Sequence, residues 1–445
     1  MGAGSQISEP DIAQLKRDAL EYILPTFARN DRLAAGVKIM ARGDGVYLYD
    51  AEGNKYLDTF ASLLTSICGH HHPDIAAAIR AQLDEIEFYP NYEDTFTIPL
   101  IRLAKKLAAI TPGELAVSFF TNSGSEANES ALKMARQYHL QNGQPRRFKV
   151  IARRLSYHGV TLGGVSATGL QWFREYFEPL VPGCLFAPEA RQDDGGESFV
   201  RLREMVEFEG PESISAIIMD PIPGSNTGYP MPPDGYMQAV RELCDTHGII
   251  LVFDEVQTSF GKSGRWFGCQ HFDITPDIMT VGKGFAGGYV PLAAAIATPK
   301  IADSFRQEVG REFRNGITFG GHTLGCAAAL AVIDVIEKNK LVDNAAKMGD
   351  YLVEQLETTV RRHRLFSHVS GIGLLRAINL VDDVAGLGDW IRDWCFDHGM
   401  ILRNNGNILV FAPALIITAE QIDWVVDRID QALSEAARHF GLCWR

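Results

Sequence analysis

The chain has 445 residues, of which 46% are hydrophobic and 22% are charged, a composition typical of a globular protein with roughly two or three domains. Its formal net charge of −13 and the lack of any dense run of lysine and arginine argue against nucleic acid as a partner. No apolar stretch approaches the roughly 20 residues of a membrane helix, so we expect no membrane partner.

Cysteine usage indicates a reducing compartment. The seven cysteines are scattered, are odd in number and never follow Cys-x-x-Cys spacing. Such a distribution is typical of reduced thiols rather than of disulfides or a zinc site. The N-terminal segment MGAGSQISEP also lacks the apolar region of a secretory signal. We therefore expect a cytoplasmic protein without a bound metal ion.

The first predicted element is a β-hairpin in the segment GVYLYDAEGNKYLD, residues 45–58, where two short runs flank a turn. Continuous apolar runs of strand length then follow at residues 115–120, 148–153, 214–219, 249–253 and 277–281. Strands that are buried on both faces have this composition, and helical stretches separate them here. The alternation predicts an α/β fold with a largely parallel central sheet.

The character of the chain changes after about residue 330. The segment 331–360 predicts one long helix, and a shorter α/β region follows it. The N-terminal hairpin is expected to pack with this C-terminal region. We therefore expect three parts, with an N-terminal segment at residues 1–65, a large domain at 66–328 and a small domain at 329–445.

The stretch ILVFDEVQTSFGKSG, residues 250–264, places Asp254 and Glu255 at the end of an apolar strand. A nucleotide hydrolase could end a strand in this way, but its phosphate loop needs a glycine where this chain has Val256. That loop should also precede the acidic strand, whereas the Gly-Lys-Ser sequence follows it here. This class of enzyme is excluded, which leaves Asp254 as either a capping residue or a functional carboxylate.

Small residues at the start of a helix form a candidate anion site. In FFTNSGSEANESALKMAR, residues 119–136, Ser123, Gly124 and Ser125 lie between a strand and a helix. Backbone N–H groups at a helix N-terminus attract anions, and serine hydroxyls can donate to the same ligand. The alternative is an ordinary N-cap and turn, for which these residue types are common.

Two further strand ends carry residues that suit a cofactor. Lys283 follows an apolar strand among glycines in TVGKGFAGGYVPLA, where a ligand could approach the backbone closely; the alternative is a surface lysine. Tyr157 and His158 follow another strand in RLSYHG. The carboxyl ends of parallel strands meet at one edge of a sheet, where open α/β folds bind ligands.

One cofactor requires all of these groups together. Pyridoxal 5'-phosphate (PLP) carries a phosphate, a protonatable ring nitrogen, a flat ring and an aldehyde that condenses with a lysine. Asp254 would keep the ring nitrogen protonated, since an adjacent carboxylate raises the pKa of such a group by roughly one to three units. The motifs therefore predict a PLP enzyme with Lys283 and Asp254 as catalytic residues.

With these residues assembled, the chain resembles the class III pyridoxal-phosphate-dependent aminotransferases, in particular the ω-amino acid and amine:pyruvate transaminases. The segments FFTNSGSEANESALKMARQYH, YHG, DEVQTSFGKSGRWFG, PDIMTVGKGFAGGYVPLAA and TFGGHTLGCAAALAV match the family in order and spacing. The resemblance implies a fold-type I PLP-dependent transferase, whose large domain has a mostly parallel sheet and whose smaller α/β domain comes from both termini. It also implies a homodimer, or a dimer of dimers, with active sites at the subunit interface.

The resemblance assigns roles to individual residues. Lys283 is the lysine that condenses with the cofactor, and Asp254 pairs with the ring nitrogen. Ser123, Gly124 and Ser125 are implied to surround the phosphate. Tyr157 lies on one ring face and in the substrate pocket, Val256 lies on the other ring face, and His158 is a further contact. Gln257 lies near the phenolic oxygen, and Thr318 reaches the phosphate of the neighbouring subunit's cofactor.

Departures from the family pattern narrow the range of possible substrates. Val410 replaces an arginine, and Ser225 a glutamate, that are typical of ornithine, acetylornithine and 4-aminobutyrate enzymes. Arg403 in ILRNNGN instead matches the mobile arginine with which amine:pyruvate enzymes bind α-carboxylates; the alternative is a solvated loop arginine. Leu64 replaces a frequent tryptophan and should enlarge one side of the substrate pocket. Asp220 replaces the more usual glutamate, a change to which the sequence attaches no consequence.

The sequence thus predicts an ω-type transaminase with a ping-pong cycle, in which an amine or ω-amino acid gives its amino group to an α-keto acid such as pyruvate. Lys283 would be the base that moves the substrate proton. An amino-acid racemase, epimerase or aminomutase on the same fold is the alternative, because the same carbanion is formed. A regulatory or cofactor-storing module is disfavoured by the presence of Lys283 with all its partners.

Overall fold

The structure, a computed structural model, describes residues 9–192 and 194–442. Cys443 and residues 1–8 lie outside the described residues. The expectation of reduced thiols rests in part on Cys443, and the expectation that a secretory signal is lacking rests on the N-terminal segment. The α-helices are Glu9–Tyr22 (α1), Asn30–Ala35 (α2), Ala61–Leu64 (α3), Pro73–Glu85 (α4), Ile98–Ile110 (α5), Gly124–Gln141 (α6), Leu162–Ala167 (α7), Gln171–Arg174 (α8), Glu197–Glu209 (α9), Tyr236–His247 (α10), Pro299–Ala302 (α11), Thr323–Lys338 (α12), Leu341–Thr359 (α13), Leu387–Asp397 (α14) and Ala419–His439 (α15).

The strands lie between these helices. They are Met40–Asp44 (β1), Tyr47–Asp50 (β2), Lys55–Asp58 (β3), Val117–Thr121 (β4), Lys149–Arg153 (β5), Cys184–Ala187 (β6), Ile214–Met219 (β7), Ile250–Asp254 (β8), Ile278–Val281 (β9), Ala293–Ala297 (β10), Phe366–Ile372 (β11), Leu375–Leu380 (β12), Met400–Ile401 (β13), Arg403–Asn405 (β14) and Ile408–Phe411 (β15).

The largest sheet has seven strands in the order β4-β10-β9-β8-β7-β5-β6. Strands β9, β8, β7, β5 and β6 pair in parallel, whereas β10 lies antiparallel to both β9 and β4. Every residue of β7, β8 and β9 is buried, as their continuous apolar sequences predict. This mostly parallel sheet confirms the predicted fold class.

Two four-stranded sheets are built from the two ends of the chain, in the orders β1-β2-β3-β13 and β11-β12-β15-β14. The predicted hairpin is formed by β2 and β3. Strand β3 also pairs in parallel with β13, where Leu57 lies opposite Met400. Hydrogen bonds therefore join the N-terminal hairpin to the C-terminal region. The division at residues 65 and 328 stays a prediction.

The expectation of one long helix over residues 331–360 is wrong. The chain forms two helices there, α12 and α13, which are separated at Asn339 and Lys340. Lys340 has a left-handed backbone with φ of 51°, which a right-handed helix does not accommodate. The amide Nδ2 of Asn339 donates to the carbonyl oxygen of Val335 at 3.0 Å and so caps the end of α12. Periodicity alone did not reveal this break, because apolar spacing continues across it.

A continuous apolar core lies between the sheets and their helices. It includes Phe253 of β8, Val281 of β9 and Val332 of α12. Within the described ranges, no helix has both the length and the apolar character needed to cross a membrane. Polar side chains enter this core at the carboxyl ends of β5, β7, β8 and β9, and these strand ends form the candidate site.

Candidate active site

The predicted site residues gather at the carboxyl edge of the seven-stranded sheet. Asp254 is the last residue of β8, Lys283 follows the end of β9, and Tyr157 and His158 follow β5. The segment that contains Gly124 comes after β4 and meets the turn after β8. The convergence that strand order suggested is therefore present in the three-dimensional structure.

The Asp254 carboxylate is buried and lies at the centre of a hydrogen-bond network. Its Oδ2 atom accepts from His158 Nδ1 at 2.9 Å and from Asn128 Nδ2 at 2.7 Å, and its Oδ1 atom accepts from Val256 N at 3.0 Å. Burial alone would raise the pKa of Asp254, but the hydrogen bonds from His158, Val256 and Asn128 outweigh it and hold that pKa below its usual value. Asp254 caps its turn and also presents a stable negative charge.

A second buried carboxylate stands beside this network. The Oδ1 atom of Asp220 lies 3.8 Å from His158 Nδ1, while its Oδ2 atom has no hydrogen-bond partner among the described residues. Burial raises the pKa of Asp220 to about 6; the nearby His158 opposes that rise and the charge of Asp254 adds to it. The pKa of His158 is raised, because the attraction of Asp220 and Asp254 exceeds the effect of its burial.

These three side chains also have the donor types of a metal site. The ligand atoms of His158, Asp220 and Asp254 all lie within 4.8 Å of one another. However, His158 Nδ1 is hydrogen-bonded to Asp254, so that nitrogen is not free to face another partner. The unsatisfied negative charge then lies on the carboxylates, which suits a protonated nitrogen as well as a metal ion.

Lys283 is half-buried and has an unusual backbone. Its φ is 46°, a left-handed value that is rare outside glycine and that often marks functional sites. Its amine makes no hydrogen bond to any described residue, and burial lowers its pKa despite the opposing charges of Asp254 and Asp220. A lysine with a lowered pKa has a larger neutral fraction, which makes it a nucleophile and a base. The position is not that of a surface lysine.

Fewer residues are available at the candidate anion site than the sequence suggested. Ser123 Oγ accepts from Glu126 N at 3.3 Å, and a Glu126 carboxylate oxygen accepts from Ser123 N at 3.1 Å, so Ser123 forms a capping box. A Cβ atom on Gly124 would lie 2.9 Å from Val256 Cγ1, so the close packing of this helix N-terminus against Val256 requires a glycine. Ser125 Oγ accepts from Val160 N at 3.2 Å. The N-terminus of α6 therefore keeps Gly124 and Ser125 for an anion.

Tyr157 and Val256, the residues predicted to lie on the two faces of the cofactor ring, are both at this edge of the sheet. The Tyr157 ring packs on Phe173 with a centroid separation of 5.0 Å. Burial, and secondarily the charge of Asp254, raises the pKa of the Tyr157 phenol, which places this side chain within range of that carboxylate. Gln257 Oε1 accepts from Ser225 N at 3.2 Å and so holds the loop after β7 beside the site.

Arg403 is a half-buried cation at the start of β14. Its guanidinium lies 5.4 Å from the centre of the Phe60 ring, and its Nε atom has no hydrogen-bond partner in the part of the chain that the structure describes. It forms no ion pair with a described carboxylate. Burial lowers the pKa of Arg403, while Tyr229 and Tyr157 act in the opposite direction. The solvated-loop alternative does not fit this environment.

The structure places Leu64 and Thr318 differently from the other predicted site residues. Leu64 is 2% exposed and packs in an apolar cluster with Phe60, Tyr229 and Val410. Thr318 lies at the surface and forms none of the contacts described above. It does not join the site of its own chain, and its predicted contact with a neighbouring subunit's cofactor stays a prediction.

Sequence reasoning missed Asn128 as a site residue. Its Nδ2 atom donates to both Asp254 and the carbonyl oxygen of His158, and its Oδ1 atom accepts from Thr280 Oγ1 at 2.7 Å. The signal was an asparagine on the buried face of α6, where a polar side chain needs a partner. Asp220 carried a similar signal, because it ends the apolar run 214–219 as Asp254 ends its own.

PLP fits this arrangement. Asp254 offers a negative charge for a protonated ring nitrogen, Lys283 offers an unpaired amine, and the helix that begins at Gly124 offers its N-terminus to a phosphate. The unpartnered, buried Nε2 of His158 and Oδ2 of Asp220 are further polar atoms that face no protein partner among the described residues. Each group of the cofactor thus finds a matching feature.

Most of the chain is similar to known aminotransferases. The family model "Aminotransferase class-III" matches residues 28–433. The chain is 31% identical to the putrescine–pyruvate aminotransferase of Pseudomonas aeruginosa, over 97% of this chain and 98% of that protein. It is 33% identical to the β-alanine–pyruvate aminotransferase of the same organism, over 92% of this chain and 95% of that protein.

A solved structure gives the same result for the fold. The ω-transaminase from Pseudomonas jessenii in complex with PMP superposes with a TM-score of 0.91 at 31% sequence identity. The match covers 96% of this chain and 99% of that chain. The similarity extends over the whole architecture, including the segments that carry the site.

Proposed function

Because the chain belongs to the class-III aminotransferases, which are PLP-dependent enzymes, we propose that it transfers an amino group from an amine or an ω-amino acid to pyruvate or another α-keto acid. The observation that carries the choice of acceptor is Arg403, a half-buried cation beside Tyr157 that has no carboxylate partner among the described residues. A substrate carboxylate would supply that partner. Two similar proteins are named for pyruvate as the acceptor.

In this proposal, residues at the carboxyl edge of the seven-stranded sheet would hold the cofactor. Gly124 and Ser125 would hold the phosphate, Asp254 the ring nitrogen, and Tyr157 and Val256 the two ring faces. When bound, PLP supplies an aldehyde that condenses with amines and a ring that accepts the electrons of a broken C–H bond. Gln257 would lie near its phenolic oxygen, while its Oε1 atom orders the loop at Ser225.

Asp254 and Lys283 divide the proton chemistry. Asp254, with its pKa held low by three hydrogen bonds, stays ionised and favours a proton on the group that it faces. Lys283, with its pKa lowered by burial, would take the proton from the substrate carbon on its Nζ atom. His158 and Asn128 hold the Asp254 carboxylate in its orientation and keep water from its inner oxygen.

Leu64 and Val410 shape the apolar side of the substrate pocket in this proposal. Both belong to the cluster that also contains Phe60 and Tyr229. This cluster has no ionised group, so it suits the carbon chain of the amine rather than its charge. The same pocket then accepts an apolar amine and, through Arg403, a keto acid.

We also propose a homodimer, in which Thr318 contacts the phosphate of the neighbouring subunit's cofactor. Thr318 is exposed, and the adjacent Phe319 ring lies 5.1 Å from Phe88. The stretch of chain that contains Phe88 also exposes several large apolar side chains, at Ile86, Tyr89, Tyr92, Phe96, Ile98 and Ile101. Exposed apolar surface of this kind favours burial against a second copy.

Two further expectations remain proposals. We place the protein in the cytoplasm, supported by free thiols on all six cysteines in the described ranges; fractionation of the producing cells would test this. We also propose the domain division at residues 65 and 328, supported by a seven-stranded sheet whose strands all lie between Val117 and Ala297. Limited proteolysis near those positions would test it.

The proposed reaction predicts a fixed stoichiometry. The PLP-loaded enzyme, mixed with pyruvate and a panel of donors that includes putrescine, β-alanine and an apolar amine, should form one alanine for each pyruvate consumed. A racemase or aminomutase would leave the keto acid untouched while it converted an amino acid alone. The Lys283→Ala variant, tested in parallel, controls for uncatalysed exchange. Product formation without loss of pyruvate would contradict amino transfer.

A further inference from the structure

Four consecutive residues beside the site have a left-handed backbone. The φ angles of Ala61, Ser62, Leu63 and Leu64 are 45°, 45°, 69° and 63°, and none of these residues is glycine. L-amino acids enter this region as isolated residues, because the Cβ atom approaches the following carbonyl oxygen. A run of four therefore needs support from outside the turn. We call residues 61–64 the left-handed turn.

The support comes from one buried carboxylate. Asp58 is 2% exposed and ends β3, directly before the left-handed turn. Its Oδ1 atom accepts from Phe60 N at 3.0 Å, and its Oδ2 atom accepts from Ser62 N at 2.6 Å and from Ser62 Oγ at 3.2 Å. His70 Nε2 lies 3.1 Å from the same Oδ2 atom and holds the carboxylate in place.

The segment held by Asp58 forms the surface on which Arg403 rests. The Phe60 ring lies under the Arg403 guanidinium at 5.4 Å. Thr59 donates to the carbonyl oxygen of Ile401 through its N atom at 3.2 Å and its Oγ1 atom at 2.7 Å, two residues before Arg403. A cavity of about 310 Å³ runs along this segment, and its walls include Asp58, Phe60 and Arg403.

We infer that Asp58 is a positioning residue for the acceptor half of the reaction: it holds the left-handed turn so that Phe60 keeps Arg403 in place for the substrate carboxylate. The inference rests on the proposed function of Arg403. A guanidinium on an aromatic face loses less freedom when it then binds a carboxylate. If Asp58 releases the turn, its residues can adopt right-handed angles and Phe60 moves from its place.

The Asp58→Asn variant tests this with little change of shape. The asparagine has one acceptor oxygen in place of two and no charge, so the amides of Phe60 and Ser62 cannot both keep their bonds. The holoenzyme should show a KM for pyruvate raised roughly five- to thirty-fold, the range of a cation–aromatic contact. The half-reaction with a carboxylate-free amine should keep its rate.

Glycine at position 62 provides the rescue. It adopts left-handed angles without steric cost, so Asp58→Asn combined with Ser62→Gly should regain much of the lost affinity for pyruvate. A general folding defect would not be rescued in this way. The matched control is Asp50→Asn, because Asp50 is equally buried and accepts from Asn54 N and Tyr56 OH, away from Arg403. This control should leave the KM for pyruvate unchanged.

Hydrogen exchange over residues 58–66 gives a readout that does not depend on activity. Exchange at this peptide should be faster in Asp58→Asn than in the wild type and in Asp50→Asn, because one of the two amides loses its acceptor and the turn is no longer held at both points. If Asp58→Asn does not fold, the His70→Asn variant provides a milder test, because it changes only the side chain that holds the Asp58 carboxylate in place. It should show smaller changes in the KM for pyruvate and in exchange, in the same direction, and Ser62→Gly should reverse them.

Different results would overturn the inference about Asp58 and the proposed function. Equal losses in both half-reactions, or an unchanged KM for pyruvate with unchanged exchange, would overturn the positioning role of Asp58. A wild-type enzyme that transfers no amino group to any keto acid would overturn the proposed function and the link to Arg403. Faster exchange in Asp58→Asn would in that case still support the part of the inference that concerns the turn.

Discussion

Arg403 lies directly opposite Val410 on the antiparallel strands β14 and β15. Enzymes that act on ornithine or 4-aminobutyrate carry an arginine in the segment that contains Val410, and here the cation instead stands on the neighbouring strand. Val410 is fully buried in the cluster with Leu64 and Tyr229. In the proposed function, these two residues would give the substrate pocket one charged side and one apolar side, which suits two unlike substrates.

The Arg403→Ala variant should lose activity in one half-reaction only. A guanidinium that grips a carboxylate contributes about 1.5–3 kcal/mol, or roughly ten- to a hundred-fold in the pyruvate half-reaction. The half-reaction with a carboxylate-free amine should be nearly unchanged. Single-turnover kinetics on each cofactor form measures the two halves separately.

A neighbouring arginine provides the control for this experiment. Arg392 lines the cavity of about 310 Å³ whose walls also include Arg403. Unlike Arg403, it is paired with Asp393 at 2.7 Å and with Asp389 at 3.4 Å. Arg392→Ala should leave both half-reactions within about two-fold, as is usual for an exposed ion pair. Equal losses in both halves for Arg403→Ala would mean that Arg403 supports the fold or the cofactor instead.

The Asp254→Asn variant should fold and bind the cofactor weakly but react slowly. Loss of the carboxylate should lower the pKa of the ring nitrogen; a drop of two units corresponds to about 2.7 kcal/mol and a hundred-fold in rate. The rate of proton removal from an α-deuterated amine measures the effect. The control is Asp277→Asn, since Asp277 pairs with Arg241 at the opposite end of β9. Near wild-type turnover of Asp254→Asn would leave Asp254 as a capping residue.

Apolar runs predicted five of the seven strands of the large sheet, and the residues that follow them predicted the edge at which the candidate site lies, because these are local features of the sequence; β6 and β10 were not predicted. Asp254 and Lys283 each follow a recognisable apolar run. Asn128 was not found, because its role depends on a contact with a residue 126 positions away. The left-handed backbone at Lys340 and the left-handed turn were also missed, since no glycine marks either position. Tertiary contacts, which a single sequence does not display, support both conformations.

Lys283 should be the lysine that binds the cofactor covalently. Borohydride reduction of the loaded enzyme followed by peptide mapping should place the label on Lys283, and Lys283→Ala should take up no covalent cofactor and lose turnover. Lys262 is the internal control, because it is buried and burial lowers its pKa to about 7, yet its amine donates to the carbonyl oxygen of Ala412 at 2.8 Å. A label on Lys262 would show that a low pKa, rather than position, selects the lysine.

Thr318→Ala should release the cofactor more readily. If Thr318 reaches the phosphate across a subunit interface, loss of one hydrogen bond to a charged group costs about 1.5–3 kcal/mol, at least ten-fold in affinity. Cofactor retained after gel filtration measures this, with the exposed Thr358→Ala as the control. The wild type should elute at twice 49.1 kDa in the same experiment. A fully active monomer would contradict a shared site.

The buried Lys262 should make stability depend on pH. Its pKa is about 7 in the folded protein, because burial disfavours the ammonium form, whereas the usual value is 10.5. Between these values the unfolded chain binds a proton that the folded chain has lost, so the free energy of unfolding should increase with pH, by up to about 1.4 kcal/mol per pH unit. Below pH 7 both states are protonated, so the free energy of unfolding no longer changes with pH through Lys262. Thermal unfolding from pH 7 to 9 should therefore show a larger gain for the wild type than for Lys262→Met.

An exposed lysine separates this effect from the titration of other groups. Lys300→Met removes a lysine at the surface and should keep the pH dependence of the wild type, because its environment changes little on unfolding. Comparison of the three proteins cancels the contributions of thiols and histidines that they share. If Lys262→Met and the wild type gained the same stability between pH 7 and 9, Lys262 would be protonated in the folded protein, and its two carbonyl acceptors would then be bound by an ammonium group.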